Sequence, residues 1–372
     1  MSMTPPLPPD DRAPINSAIE RVVVVGSGSA GRRHARALRA ALPQAELVIV
    51  RRAESERAVG DLEDLHPELA SSLGEALGGK RPTVAVVASP APYHRPAAVS
   101  LAEVGAHLLV EKPLAADLTD GAAILEAAQT HRRTLVVGYH LRFGETVPEL
   151  RNLVADGIVG RPRSFSLSVG QHLSQWRPDI DPSRSVSARR ELGGGVLLEL
   201  SHEFDGLRYL FGDVLEVTEA VLEHGGAPTD GEVETIADVR LTTRSGVAGD
   251  IHLDMVSHKP FRRWEIVGEE GTLSADLLAG RIELHGAVSQ GRRLLFEAQR
   301  GERDRSEQRL IENLIDAVLS GAEPLCRGQD GIEVLALVAA TFRCAESRRT
   351  QRLGAVTATA REGEARPRGV GQ

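Results

Sequence analysis

The stretch RVVVVGSGSAGRRHARALRAAL, residues 21 to 42, constrains the fold more than any other part of the chain. An apolar run leads into Gly26, then Gly28 and Gly31, and a helical pattern follows. The order is strand, tight turn, helix, with the G-x-G-x-x-G spacing on which a dinucleotide's pyrophosphate rests. Gly26 makes the turn, Gly28 lets the backbone approach the phosphates, and Gly31 lets the helix pack closely on the strand. Ser27, Ser29 and Ala30 complete the loop, and the helix N-terminus adds N–H donors and a favourable dipole. The alternative is a merely structural turn.

The next strand, ELVIV at 46 to 50, ends at Arg51 and Arg52. A site for NAD usually carries an acidic residue here to accept from the ribose hydroxyls. Two guanidiniums would instead clamp a 2′-phosphate, so NADP(H) is the expected cofactor. NAD(H) stays open, because both arginines can face solvent and Glu54 or Glu56 can fold back to a ribose.

Further strands alternate with helices through TVAVVASP, GAHLLVEKP and TLVVGYH, up to residue 140. This pattern predicts an α/β unit with a parallel sheet covered on both faces, and active groups beyond the carboxyl ends of its strands. Ser89, Pro90, His94, Glu111, Lys112, Pro113 and His140 all fall at or just after such ends. Lys112 stands out by rarity: the chain has only three lysines, Lys80, Lys112 and Lys259, among 44 basic residues. A lysine retained where arginine is otherwise used suits a place needing a compact point donor or a titrating amine.

Beyond 140 the alternation breaks down. Segments such as RSFSLSVG, VLEVTEAVLE, VETIADVRLTT, AGDIHLDMV and RRWEIVGEEGTLSAD carry partial period-two patterns, which predict a mostly antiparallel sheet. Such a sheet, with helices on one face, leaves the other for a partner subunit, so a homo-oligomer is expected. A helix is predicted over 191 to 212, with others at about 304 to 319 and 330 to 348. In that first helix Glu199, His202 and Asp205 share one side, and a histidine flanked by carboxylates would have a raised pKa suited to proton transfer. An exposed acidic stripe is the bland alternative. A metal site is a weaker one, since this spacing is not a strong metal motif.

Composition excludes other classes. The net charge of −8 gives no general attraction to nucleic acid or anionic membrane. No run of 18 apolar residues is present to span a membrane. Cys326 and Cys344 form neither a zinc nor a redox spacing and imply no disulfide, which fits a reducing, cytoplasmic compartment. Residues 1–19 read as a flexible leader and 353–372 as a flexible tail.

At this point the chain resembles the glucose-fructose oxidoreductase, inositol dehydrogenase and rhizopine-catabolism group, the Gfo/Idh/MocA family. The matches are VVVVGSGSAGRRHARAL, VVASPAPYH, LLVEKPLA, VVGYHLRF, GGGVLLELSHEFDGLRYLFG and WEIVGEEGTL, spread over about 330 residues from Arg21 to Arg349. The resemblance implies a Rossmann domain over 20–140. It further implies an α+β substrate and oligomerisation domain over 141–352, built on a large, open, predominantly antiparallel sheet. It also implies hydride transfer between nicotinamide and a secondary alcohol or ketone of a sugar, polyol or sugar nucleotide. Lys112 looks like the family lysine that bonds the reacting oxygen, and His202 like the family's general acid or base. Glu111 and Pro113 would form the turn that holds Lys112. Glu199, three residues before His202, stands near where the family has an Asp four before, which is Leu198 here. His140 replaces an Asn common in the family and is a candidate substrate contact. Trp176 and Arg177 would stack on a sugar face or hold an anionic group, or Trp176 would only pin its loop. Two rivals are NAD-assisted glycoside cleavage, by transient oxidation and elimination, and a non-enzymatic NADP(H) sensor or scaffold.

Overall fold

The computed structural model describes residues 19–51, 60–176, 181–286 and 291–354. The first part of the chain builds a six-stranded parallel sheet from β1 (Arg21–Val25), β2 (Glu46–Val50), β3 (Glu68–Ala70), β4 (Val84–Val87), β5 (His107–Val110) and β6 (Leu135–Val137). Their order is β3-β2-β1-β4-β5-β6. The chain therefore leaves β1 toward one edge and returns at β4 toward the other, opening a crevice at the carboxyl ends between them. Runs such as Val84–Val87 are fully buried, because α1 (Ser29–Ala41), α2 (Leu73–Leu77), α3 (His94–Glu103) and α4 (Leu118–Thr130) connect the strands and cover the sheet. The short strand β3 has no counterpart in the sequence reading: three residues are too few for a visible alternation.

Past β6 come α5 (Thr146–Ala155), β7 (Pro162–Gly170), α6 (Val196–Glu199) and α7 (His202–Phe211). The strands β8 (Val214–Glu223), β9 (Ile236–Thr243), β10 (Ala248–Asp254), β11 (Phe261–Gly268), β12 (Thr272–Asp276), β13 (Arg281–His285) and β14 (Arg292–Glu297) follow, then α8 (Glu302–Ser320), α9 (Gly328–Ser347) and β15 (Gln351–Arg352). These strands form one nine-stranded sheet ordered β14-β13-β12-β11-β7-β10-β9-β8-β15. Every pairing is antiparallel except β7 with β10. The expected α/β unit and mostly antiparallel second sheet are both present.

Alternation sorts this second sheet into two faces. Phe165, Leu167, Trp264, Ile266, Val239 and Ile251 are buried beneath the helices. The opposite face carries Arg263, Glu265 and an Arg240–Asp250 ion pair. One contact fixes α7 on its face: a Cβ at Gly206 would lie 2.0 Å from the Trp264 ring, so glycine alone lets helix and indole meet. Glu203, one turn earlier, is fully buried and accepts from Arg262 Nε at 2.8 Å and Nη2 at 3.1 Å. His202, at the start of α7, is held by the same anchor.

The later helices return to the first sheet. Leu135 and Val137 on β6 pack against Gly328 and Gly331 of α9, where any side chain would collide. Helix α8 lies beside α1, joined by Arg33 Nε to Glu307 at 2.6 Å. Both cysteines are buried and free. Among the described residues no helix is long and apolar enough to cross a membrane.

Candidate active site

A cleft of about 1640 Å³ runs along the carboxyl ends of β1, β2, β4 and β5 and onto α6, α7 and the start of α8. Its floor is the glycine turn. Gly26 has φ +107, and a Cβ there would sit 2.7 Å from Ala88 O. At Gly31 a Cβ would sit 1.9 Å from Gly26 O, so the first turn of α1 seats directly on the loop. Nothing lies within 4 Å of a Cβ at Gly28, which faces open cleft. No acidic side chain occupies the first turn of α1, and no side chain caps it. Across the crevice, the buried Ser89 Oγ lines the cleft with no hydrogen-bond partner among the described residues. Bare N–H groups, an open glycine and an orphaned hydroxyl fit a dinucleotide's diphosphate and ribose. Ser27, Ser29, Ala30 and Pro90 line the same wall.

Lys112 follows β5 and lines the cleft, its bond to Pro113 cis. Its backbone N–H donates to Glu111 Oε2 at 3.0 Å, and Glu111 Oε1 accepts from His34 Nε2 on α1 at 2.6 Å. Burial pushes the Glu111 carboxyl up, but the His34 hydrogen bond, Lys112 and Arg33 together hold it down at about 2. Glu111 is thus an ionised brace between α1 and the lysine turn. Lys112 Nζ donates to the backbone carbonyl of Glu199 at 2.8 Å.

That contact exists because the helix expected over 191–212 is broken. Gly195 has φ +101 and packs against the Glu234 carboxylate, so α6 starts only at Val196. It lasts one turn, and at the join Glu203 N bonds Leu200 O rather than Glu199 O. The Glu199 carbonyl is left over and turns to Lys112. The stripe of Glu199, His202 and Asp205 therefore does not form. The Glu199 carboxylate accepts from the buried Ser187 Oγ at 2.7 Å. Asp205 is clamped by Arg142, whose Nη2 lies 2.7 Å and Nε 3.0 Å away.

His202 itself is 5% exposed, lines the cleft, and has no carboxylate flank. The expected raised pKa is reversed: burial first, then His140, Arg262, Lys112 and Arg303, push it well below the ordinary histidine value. The His140 ring stands edge-on to it, centroids 4.7 Å apart, and Tyr139 approaches from another side at 5.5 Å. Burial, Arg303 and Arg262 hold His140 down to about 3. Both imidazoles are neutral at physiological pH.

Other expected site residues fall differently. His94 is 1% exposed and does not line the cleft. Its ring nitrogens meet Ser89 O at 2.7 Å and Leu114 O at 3.2 Å, so it ties together the loops carrying Ser89 and Lys112. Trp176 is half-buried in the cleft wall, with Nε1 donating to Gln171 O at 2.9 Å. Arg177 and Arg52 lie outside the described residues. Arg262, Arg303, Ser187 and Ser306 went unread in the sequence as site residues. Arginine is so common in this chain that only contact with the cleft distinguishes these two.

The comparisons with known proteins agree with this architecture. Residues 20–139 match the oxidoreductase family with an NAD-binding Rossmann fold, and residues 147–274 match the GFO/IDH/MocA C-terminal domain. D-apiose dehydrogenase of Paraburkholderia graminis is 28% identical over 91% of this chain and 90% of its own. The 1,5-anhydro-D-fructose reductase of Ensifer adhaerens is 27% identical over 74% of this chain and 81% of its own. A levoglucosan dehydrogenase in complex with NADH superposes with a TM-score of 0.77 over 91% of this chain and 100% of its own, at 21% identity.

That complex overturns the NADP(H) preference, as do two more of the same enzyme with NADH. One local feature past β2 accords with this. Arg51 and Ser71 both line the cleft there, but Ser71 Oγ and N bond the Glu75 carboxylate at 2.5 and 2.7 Å. Those bonds hold Glu75 below the usual carboxylate range, and its negative charge opposes a 2′-phosphate. With both domain matches on one continuous chain, the protein belongs to the GFO/IDH/MocA oxidoreductase family.

Proposed function

We propose that the protein is an NAD(H)-linked dehydrogenase that interconverts a secondary alcohol and a ketone on a sugar, polyol or sugar nucleotide. The observation that carries this reading is the meeting of Lys112, His140 and His202 in the cleft that also holds the glycine turn. NAD(H), when bound, accepts or supplies the hydride. Gly26 to Gly31, Ser89 and Pro90 would hold it, with Arg51 toward the adenosine end.

The chain's own residues handle the proton and the charge. Lys112 has three N–H donors and gives one to Glu199 O, which aims the ammonium and leaves donors for the reacting oxygen. Negative charge developing on that oxygen is stabilised there by the ammonium. His202 starts neutral and can take the hydroxyl proton in oxidation, then return it in reduction. His202 lines the cleft and its Nδ1 is buried without a partner among the described residues, so we assign the proton exchange to Nε2. Glu199 acts through its carbonyl, while its carboxylate secures the Ser187 loop. Trp176 offers a ring for a sugar face. We assign the cofactor to residues 20–140, from whose strand ends Lys112 and His140 also reach the substrate, and the remaining substrate contacts to 141–352, with self-association through the open face of the second sheet.

The test is a panel of sugars, inositols and sugar nucleotides incubated with NAD⁺ and followed by nicotinamide absorbance. Turnover that depends on Lys112 and His202 supports the reading. Binding of NAD(H) with no turnover of any alcohol or ketone overturns it.

A further inference from the structure

Ser306, near the start of α8, is 2% exposed and within reach of two polar atoms. Its Oγ lies 2.7 Å from the carbonyl oxygen of Arg303 and 3.2 Å from His140 Nδ1. A carbonyl cannot donate, and two oxygens 2.7 Å apart with no hydrogen between them would repel, so the serine hydrogen lies on the line to Arg303. The hydroxyl then has only lone pairs for His140, and Nδ1 has to carry the proton. A neutral imidazole holds one proton, so Nε2 is an acceptor. Nε2 makes no hydrogen bond among the described residues, and the half-buried ring lines the cleft next to His202.

We propose that Ser306 is a positioning residue that locks His140 in the Nδ1–H tautomer, so that Nε2 accepts a hydrogen bond from a second substrate hydroxyl adjacent to the one oxidised. The substrate class is thereby narrowed to vicinal diols within the dehydrogenase reading, on which this inference rests. The neutral state of His140 supports it: the ring takes up no second proton at ordinary pH, so Nε2 stays an acceptor while Nδ1–H donates. A substrate whose neighbouring group is a carbonyl, ether or bare methylene leaves Nε2 desolvated and unpaired, and a site built for a hydroxyl rejects such analogues strongly. A glutamate or aspartate at 140 would also accept, but as an anion beside the developing alkoxide. A neutral acceptor avoids that repulsion.

The experiment has two arms on the full-length protein. In the first, ¹⁵N-histidine-labelled wild type, S306A and S306T are examined by long-range ¹H–¹⁵N correlation, with H140Q identifying the His140 signals. Nδ1–H in wild type and S306T, with a shift toward Nε2–H in S306A, is the expected result. Nε2–H in wild type overturns the proposal. In the second, kcat/KM is measured for myo-inositol, levoglucosan and D-apiose, each against analogues lacking one hydroxyl next to the oxidised carbon. Wild type and S306T should discriminate by about 100-fold and S306A by less than about tenfold, through KM and kcat for the diol alone. Equal discrimination in S306A overturns the proposal. If none of these alcohols is oxidised, the dehydrogenase reading is what fails, and the tautomer arm still decides the lock.

Discussion

Lys112 Nζ donates to the backbone carbonyl of Glu199 at 2.8 Å, so the lysine is aimed by a break in the chain between α6 and α7 rather than by a carboxylate. A carbonyl partner orients the ammonium without cancelling its charge. In the proposed reaction that charge serves the reacting oxygen.

Lys112→Ala should therefore lower kcat by about 10³-fold while the Kd for NADH changes by less than about fivefold. Lys112→Arg should not restore turnover, because a planar fork cannot replace a compact donor in the same space. Stopped-flow turnover beside a fluorescence titration with NADH checks both.

Glu199→Gln should cost less than about tenfold in kcat, since the amide still accepts from Ser187 and the backbone carbonyl is untouched. A loss comparable to that of Lys112→Ala would instead make the carboxylate part of the proton path.

The glycine turn separates packing from binding. Gly31→Ala forces a Cβ into Gly26 O and should destabilise the fold by about 1–3 kcal/mol. Gly28→Ala meets no protein atom, so its stability cost should stay within about 1 kcal/mol, yet NADH affinity should fall at least tenfold. Denaturant midpoints and NADH titrations distinguish the two variants.

Arg142→Ala strips the partner from a buried Asp205 and should cost about 3–5 kcal/mol by denaturant unfolding. Asp205 is not near His202 in any hydrogen bond among the described residues. Loss of activity should therefore track loss of fold.

The His140 pKa is depressed, so the folded protein keeps neutral a ring that the unfolded chain protonates below about pH 6.5. The unfolded state then binds the extra proton, and stability falls as pH drops through that range. Between pH 7.5 and 5.0 His140 should contribute a loss of about 2 kcal/mol. His140→Asn should flatten the denaturant midpoint over that interval relative to wild type.

Much of this was readable in residues 21 to 140. The glycine spacing, the apolar strands and the clustering of Lys112, Ser89 and His140 at strand ends are local patterns, each expressed within about ten residues. The segment 191–212 was misread because apolar periodicity continues across it. What interrupts it is Glu234, about 40 residues away, seated against Gly195. The arginine pair after β2 was misread for a similar reason. Charge at 51 and 52 is visible in the sequence, whereas the carboxylate of Glu75 reaches Ser71 only in the fold.

The sequence by itself determined the architecture of the two sheets, the position of the glycine turn and the candidacy of Lys112 and His202. Hydrophobic period and glycine sterics act between near neighbours and can be read without a fold. Only the tertiary structure decided how those groups are tuned. The Glu199 carbonyl is directed at Lys112, Asp205 is withdrawn to Arg142, and His202 is neutral among cations. Orientation and pKa depend on burial and on charges brought together from distant parts of the chain, and no local pattern carries either.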